Sequence, residues 1–184
     1  KPVIISQRIS GETEANFGLE EAVTELGEII VTGVARSTEL SQSPIAVKSV
    51  SKDFLDQRTS TNIIDALAAI PGISQITTGS AISKPVIRGL GYNRIITLNN
   101  GIRQEGQQWG DEHGIEVDEY SVSRAEIVKG PGSLMYGSDG IAGVLNLIAP
   151  NALPEGEVKG SISSNYQTNG NLIGWSAFNA GTKN

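Results

Sequence analysis

The stretch EIVKGPGSLMYGSDGIAGVLNL, Glu126 to Leu147, decides the fold of this 184-residue chain. It opens on Ile127-Val128, β-branched neighbours that suit a buried strand. Gly130-Pro131-Gly132 breaks that strand, because proline removes a backbone donor and glycine permits positive φ. Ser133 to Gly137 is short and glycine-capped, which predicts one turn of helix. Gly140 and Gly143 then lead into the apolar run Val144-Leu145-Asn146-Leu147-Ile148. Glycines so close together in a strand-rich segment predict backbone packed against backbone. From residue types alone, the stretch reads as a glycine-rich connection in an α+β domain.

The flanks extend that reading. Val122 to Lys129 is the strand leading in. Upstream, Ser43 to Val50 reads as a strand, with Ile45 and Val47 on one face. Ser51 caps a predicted helix over residues 52–57, and Ser60 or Thr61 a second over Asn62 to Ile70. Ile63, Leu67 and Ile70 give the second helix one buried face, and Pro71-Gly72 ends it. Ile73 to Thr77 reads as a further strand. The expected architecture is one mixed sheet of Ile45–Val50, Val86–Arg88, Ile95–Leu98 and Ala125–Val128, with both helices packed on it. Asn99-Asn100-Gly101 predicts a tight turn. Arg103 to Gly114 has no periodicity and reads as a long loop, and Glu116 to Tyr120 as one helical turn. Past Pro150, Glu157 to Thr168 alternates, Asn169-Gly170 signals a hairpin, and Leu172 to Ala180 returns.

Composition removes several function classes. Fourteen Lys and Arg stand against 20 Asp and Glu, a poor match to the basic patch that phosphate binding needs, so no nucleic-acid partner is expected. The chain has no Cys, which excludes disulfides and thiolate metal sites. It contains no apolar run of about 18 residues, so no transmembrane helix is expected; no secretory signal is visible, which excludes no compartment. His113 is the only histidine, no nucleophile elbow accompanies it, and Gly130 to Gly137 lacks the Lys-Ser/Thr of a phosphate loop. No enzyme and no cofactor is therefore expected.

The opening stretch resembles the plug-domain motif of TonB-dependent outer-membrane receptors. It matches at Glu126, Lys129, Gly130, Pro131, Leu134, Tyr136, Gly137, Gly143, Val144 and Asn146, and departs mildly at Leu145. Residues 62–73 (NIIDALAAIPGI), Pro85 to Leu90 and Asn93 to Ile102 resemble further segments of that family in the same order. The resemblance implies an α+β plug with a mixed sheet and short helices, followed by a β-hairpin from the start of the barrel. The expected division is a leader or the end of a preceding domain at 1–26, the plug at 27–152, and barrel strands at 153–184. A full barrel needs many strands of about 9–11 residues, so the chain is expected to be a fragment of a longer receptor.

The resemblance also implies sites. Glu28-Ile29-Ile30-Val31-Thr32 is similar to the TonB box, which adds a strand to the C-terminal domain of TonB; a plain first strand of the plug is the other reading. Arg88, Arg124, Glu126 and Lys129 stand where the family's charges hold plug to barrel, although surface ion pairs would look the same. The loop from Trp109 to Glu119 lies where substrate first touches. It places His113 and Glu112 beside Asp111, Glu116 and Asp118, imidazole and carboxylate donors suited to a first-row metal, with an incidental histidine in an acidic loop as the alternative. The expected function is gating of an outer-membrane barrel, coupled to TonB-driven uptake of a metal ion or chelate. A stand-alone periplasmic or secreted binding module is the rival; membrane extraction of the parent protein separates the two.

Overall fold

Ser51 sets the first half of the fold: its hydroxyl accepts from Phe54 N and so ends a strand and starts a helix at one residue. The computed structural model describes residues 45–58, 60–79, 82–154, 158–160, 164–168, 172–175 and 179–180, with 29–30, 32 and 38–39. Strands β1 (Ile29–Ile30) and β2 (Thr38–Glu39) pair antiparallel. β3 (Val47–Ser51) runs into α1 (Lys52–Asp56). α2 (Ile63–Leu67) is shorter than the predicted 62–70 helix, and its cap is Asn62, which accepts from Asp65 N at 3.0 Å, in place of Ser60 or Thr61. Asp65 in turn accepts from Thr61 N, the residue before the cap, which ties the incoming chain to the first turn.

β4 (Ile73–Gly79), β5 (Ile82–Ile87) and β6 (Leu90–Gly91) form an antiparallel three-stranded sheet of their own. This corrects the single-sheet expectation. Arg88 and Gly89, at φ of 51° and 81°, turn the chain back after Ile87, so Val86–Ile87 pair with β4 and β6.

The larger sheet collects β7 (Ile95–Asn99), β8 (Ile102–Gln104), β9 (Arg124–Val128) and β10 (Gly143–Ile148) with β3, in the order β3-β9-β10-β7-β8. It is mixed as expected: β10 runs parallel to β7 and antiparallel to β9. Asn100 and Gly101, both at positive φ, make the predicted β7–β8 turn. Between β9 and β10 lie two short 3-10 helices, Pro131–Tyr136 and Ser138–Ile141. Beyond them, β11 (Val158–Lys159) pairs with β14 (Asn179–Ala180), and β12 (Ser164–Gln167) with β13 (Leu172–Trp175), all antiparallel as the alternation predicts.

Strand alternation gives the large sheet two unlike faces. On one, Val50, Ala125, Ile127, Leu145, Leu147 and Ile95 pack with Leu55 of α1, Ile63, Ile64 and Leu67 of α2, and Ile87 of the smaller sheet. Each fully buried aliphatic side chain there contributes about 1.5–3 kcal/mol. The other face carries a smaller apolar cluster, Ile96, Leu98, Val128 and Val144. Beside it runs a buried polar row, Ser49, Glu126 and Asn146, directly opposite one another across β3, β9 and β10.

Candidate functional site

Three groups of polar residues stand on this framework. The first is the polar row. A buried carboxylate persists only when its lone pairs are occupied. Glu126, 0% exposed, accepts from Thr32 N at 2.7 Å and from Arg124 Nε at 3.0 Å. Asn146 donates to Thr32 Oγ1 at 2.8 Å, while its carbonyl oxygen accepts from Gly101 N at 3.1 Å in the β7–β8 turn. Thr32, the last residue of the expected box, is thereby buried against the large sheet, and Ile29–Ile30 just before it is already strand-paired. Glu28 and Val31 lie outside the described residues.

The second group is cationic. Lys129 Nζ lies beside Gly72 and donates to Pro71 O at 2.9 Å, Arg88 Nη1 lies against Gly130, and the charges of Arg88 and Lys48 both reach the Lys129 amine. Among the described residues no carboxylate reaches ion-pairing distance of Arg88 or Lys129. Lys129 is held below the ordinary lysine range, first by desolvation, then by the charges of Arg88 and Lys48. The four residues expected at the plug–barrel contact therefore divide. Arg88 and Lys129 form a positive cluster without a carboxylate partner among the described residues, whereas Arg124 and Glu126 pair inside the chain.

A folded-state lysine pKa below the unfolded value costs stability while the amine is charged. That cost is fully present at neutral pH and is relieved as pH rises through the folded pKa towards 10.5. The parent chain should thus gain stability relative to Lys129→Met as pH rises towards 10.5. Urea midpoints of both proteins at each pH check it; parallel changes in the two would show the amine to be unstrained.

The third group is the loop between β8 and β9. Gln107, 3% exposed, ties its start to β7 by donating to Thr97 Oγ1 and Ile95 O. The smaller sheet and the turn after it then supply three clamps. Thr78 of β4 donates its hydroxyl to Asp111 O at 2.7 Å. Lys84 of β5, 2% exposed, donates Nζ to Trp109 O at 3.0 Å and to Gly110 O. Tyr92, directly after β6, donates its hydroxyl to Asp111 Oδ1 at 2.8 Å, which holds the phenol above its usual range. Trp109, Glu112 and His113 stay exposed at the surface.

The loop does not gather the expected metal ligands on one point. His113 Nε2 lies 3.7 Å from Glu112 Oε1. Asp111 is engaged by Tyr92, Glu116 lies against Gly106, and Asp118 caps the 3-10 helix Glu119–Ser121 by accepting from Tyr120 N. Among the described residues no three His, Asp or Glu side chains converge to hold a metal ion. Sequence reasoning missed Lys84 and Asn146. The signal for Lys84 was a lone lysine inside the apolar run Ile82–Ile87.

A family profile described as "TonB-dependent Receptor Plug Domain" matches residues 39–144. The chain belongs to this family. The matched region thus includes β10 up to Val144, the smaller sheet, the loop, and Ser49 and Glu126 of the polar row. The "Iron-regulated outer membrane virulence protein" of Vibrio cholerae is 29% identical over 154 residues, which cover 80% of this chain and 24% of that protein. The "Hemin receptor" of Yersinia enterocolitica is 34% identical over 119 residues, 64% of this chain and 17% of that protein. The chain therefore spans about a quarter or less of these curated relatives. Among solved structures, Pseudomonas aeruginosa FpvA bound to a pyoverdine–iron complex superposes with a TM-score of 0.59 at 21% identity, covering 74% of this chain and 18% of that one. That likeness concerns the fold. The plug family is one of receptors, in keeping with the expected absence of enzyme activity.

Proposed function

We propose that this plug is the gate of an outer-membrane, TonB-dependent transporter for a metal ion or metal chelate. The observation that carries the reading is the family match over residues 39–144, joined to the strand-forming segment directly ahead of it. In this reading, the remainder of the receptor forms a barrel around the plug, and residues 153–184 are its first strands. Arg88 and Lys129 meet carboxylates on the barrel wall, which supply counter-charge that the described residues do not. Glu28–Thr32 is the TonB box, facing the periplasm, and adds a strand to the C-terminal domain of TonB. The segment is already extended at Ile29–Ile30, where it pairs with β2, so TonB must displace that pairing to add its strand. Trp109, Glu112 and His113 touch substrate on the outer side, with Asp111, Glu116 and Asp118 shaping their loop; the barrel loops complete the ligand set. Names of relatives such as the iron-regulated protein and the hemin receptor support a metal-bearing cargo.

Ile30→Pro in the full receptor removes a backbone donor from the added strand. Energy-dependent uptake of haemin or zinc by cells should fall to the level of a TonB-deficient strain, with binding at the cell surface retained. Uptake at the parental rate would place the coupling segment elsewhere.

A further inference from the structure

The geometry points to Lys84 as the positioning residue of the substrate loop: its buried ammonium fixes the carbonyls of Trp109 and Gly110 so that the Trp109 and His113 side chains are presented outward. The inference rests on the reading that this loop contacts substrate.

A lysine buried to 2% exposure needs a reason to be there, because burial of its charge must be offset by partners. Lys84 finds two carbonyl oxygens and a π-face. It donates to Trp109 O and Gly110 O, and its Nζ lies 4.8 Å from the centroid of the Tyr92 ring. Among the described residues no ion pair involves it. Its bonding capacity is directed at the loop backbone.

The carbonyls it holds are the ones that shape the turn. Gly110 O also accepts from His113 N at 3.4 Å, so one oxygen receives both the lysine and the backbone that sets the position of His113. Trp109 N, in turn, donates to Gly106 O. Farther along, a Cβ added at Gly114 would lie 3.3 Å from Ser83 N, so the loop backbone runs against β5 itself. The smaller sheet thus acts as a pedestal with Lys84 as its central post. Thr78 and Tyr92 grip the next residue, Asp111, at the rim.

Ordering a loop in advance removes that entropy cost from the binding step. A methionine at position 84 keeps the length and apolar stem of lysine but cannot donate, and an arginine keeps the charge and the donors. The test uses this chain with Trp175→Phe, so that Trp109 is its only tryptophan. In Lys84→Met, the amides of Trp109 and His113 should exchange at least about tenfold faster, and Trp109 fluorescence anisotropy should drop. Amides of β7, β9 and β10 should keep their parental protection, and Lys84→Arg should restore at least half of the loop protection. Unchanged exchange at Trp109 and His113 overturns the inference, as does equal acceleration across the large sheet, which would mark Lys84 as a support of the whole fold. Haemin and zinc titrations of the full receptor separate this from the underlying reading. Weaker binding in both Trp109→Ala and Lys84→Met supports both. Weaker binding in Trp109→Ala alone, with the loop still ordered in Lys84→Met, removes the lysine's role only. Parental binding in both Trp109→Ala and His113→Ala removes the substrate-loop reading, and the inference with it.

Discussion

Gly143→Ala is expected to destabilise the chain by about 3 kcal/mol, the sum of backbone strain and overlap against a rigid neighbour. Gly143 has φ of 155°, a conformation that L side chains rarely adopt. A Cβ there would lie 2.6 Å from Val128 O and 3.0 Å from Ile87 Cδ1. Val128 belongs to β9, paired with β10 one residue further on at Val144, so the carbonyl cannot move without breaking the ladder. Gly137 provides the control. Its φ is 117°, but an added Cβ meets nothing within 4 Å, so Gly137→Ala should carry the strain alone, about 1–2 kcal/mol. Urea unfolding of both variants separates the two terms. Equal losses would mean that close approach at Gly143 contributes nothing.

Glu126→Ala should be of similar size, about 3 kcal/mol, because it strips a buried acceptor from two donors at once. Thr32 N loses its carboxylate and Arg124 Nε loses its pairing oxygen. Arg124 is a quarter exposed and recovers some hydration, which keeps the loss from rising further. Glu126→Gln retains shape and one acceptor and should cost about half as much. The local effect is the sharper one. Amide exchange at residues 29–32 should accelerate in both variants, while α2 and β10 keep the protection that global stability allows. If the 29–32 segment keeps parental protection in Glu126→Ala, the polar row does not hold it.

Much of this fold is legible in the residues because local chemistry decided it. Ser51 is both a strand end and a helix cap, and Asn100-Gly101 tolerates only a narrow set of turns. The glycines at 140 and 143 predicted close backbone contact, and both would overlap a carbonyl oxygen if they carried a Cβ. Partner choice was less legible. Val86–Ile87 reads as a strand by residue type, yet nothing in its alternation says which sheet it joins; the positive φ at Arg88 and Gly89 decides that. The cap of α2 moved to Asn62 because its amide oxygen reaches Asp65 N, a competition among three adjacent cap-forming residues that types alone leave undecided.

The sites divide along the same line. Glu126 was visible as a charge in an apolar strand, and the partner assigned to it from the resemblance was a barrel. Register supplies nearer partners, since Asn146 lies directly opposite and the two together receive Thr32. That contact joins residues 94 and 114 positions apart, beyond the reach of any window along the sequence. Lys84 was overlooked because a lysine in a strand is ordinarily solvated. Its burial follows from a loop 25 residues later that folds back over it.

The place of β10 in the large sheet has a consequence for how the chain acquires its structure. The strand in the middle of the sheet, flanked by β9 and β7, is the last of the five to be synthesised. Until Gly143–Ile148 exists, β7 and β9 have no neighbour between them, and the core that packs on Leu145 and Leu147 stays open. Its pairing with β7 spans 48 residues, a loop closure whose entropy must be met before contact is made. The large sheet therefore cannot close until nearly the whole plug has been made, and it closes by insertion at its centre instead of growth at its edge.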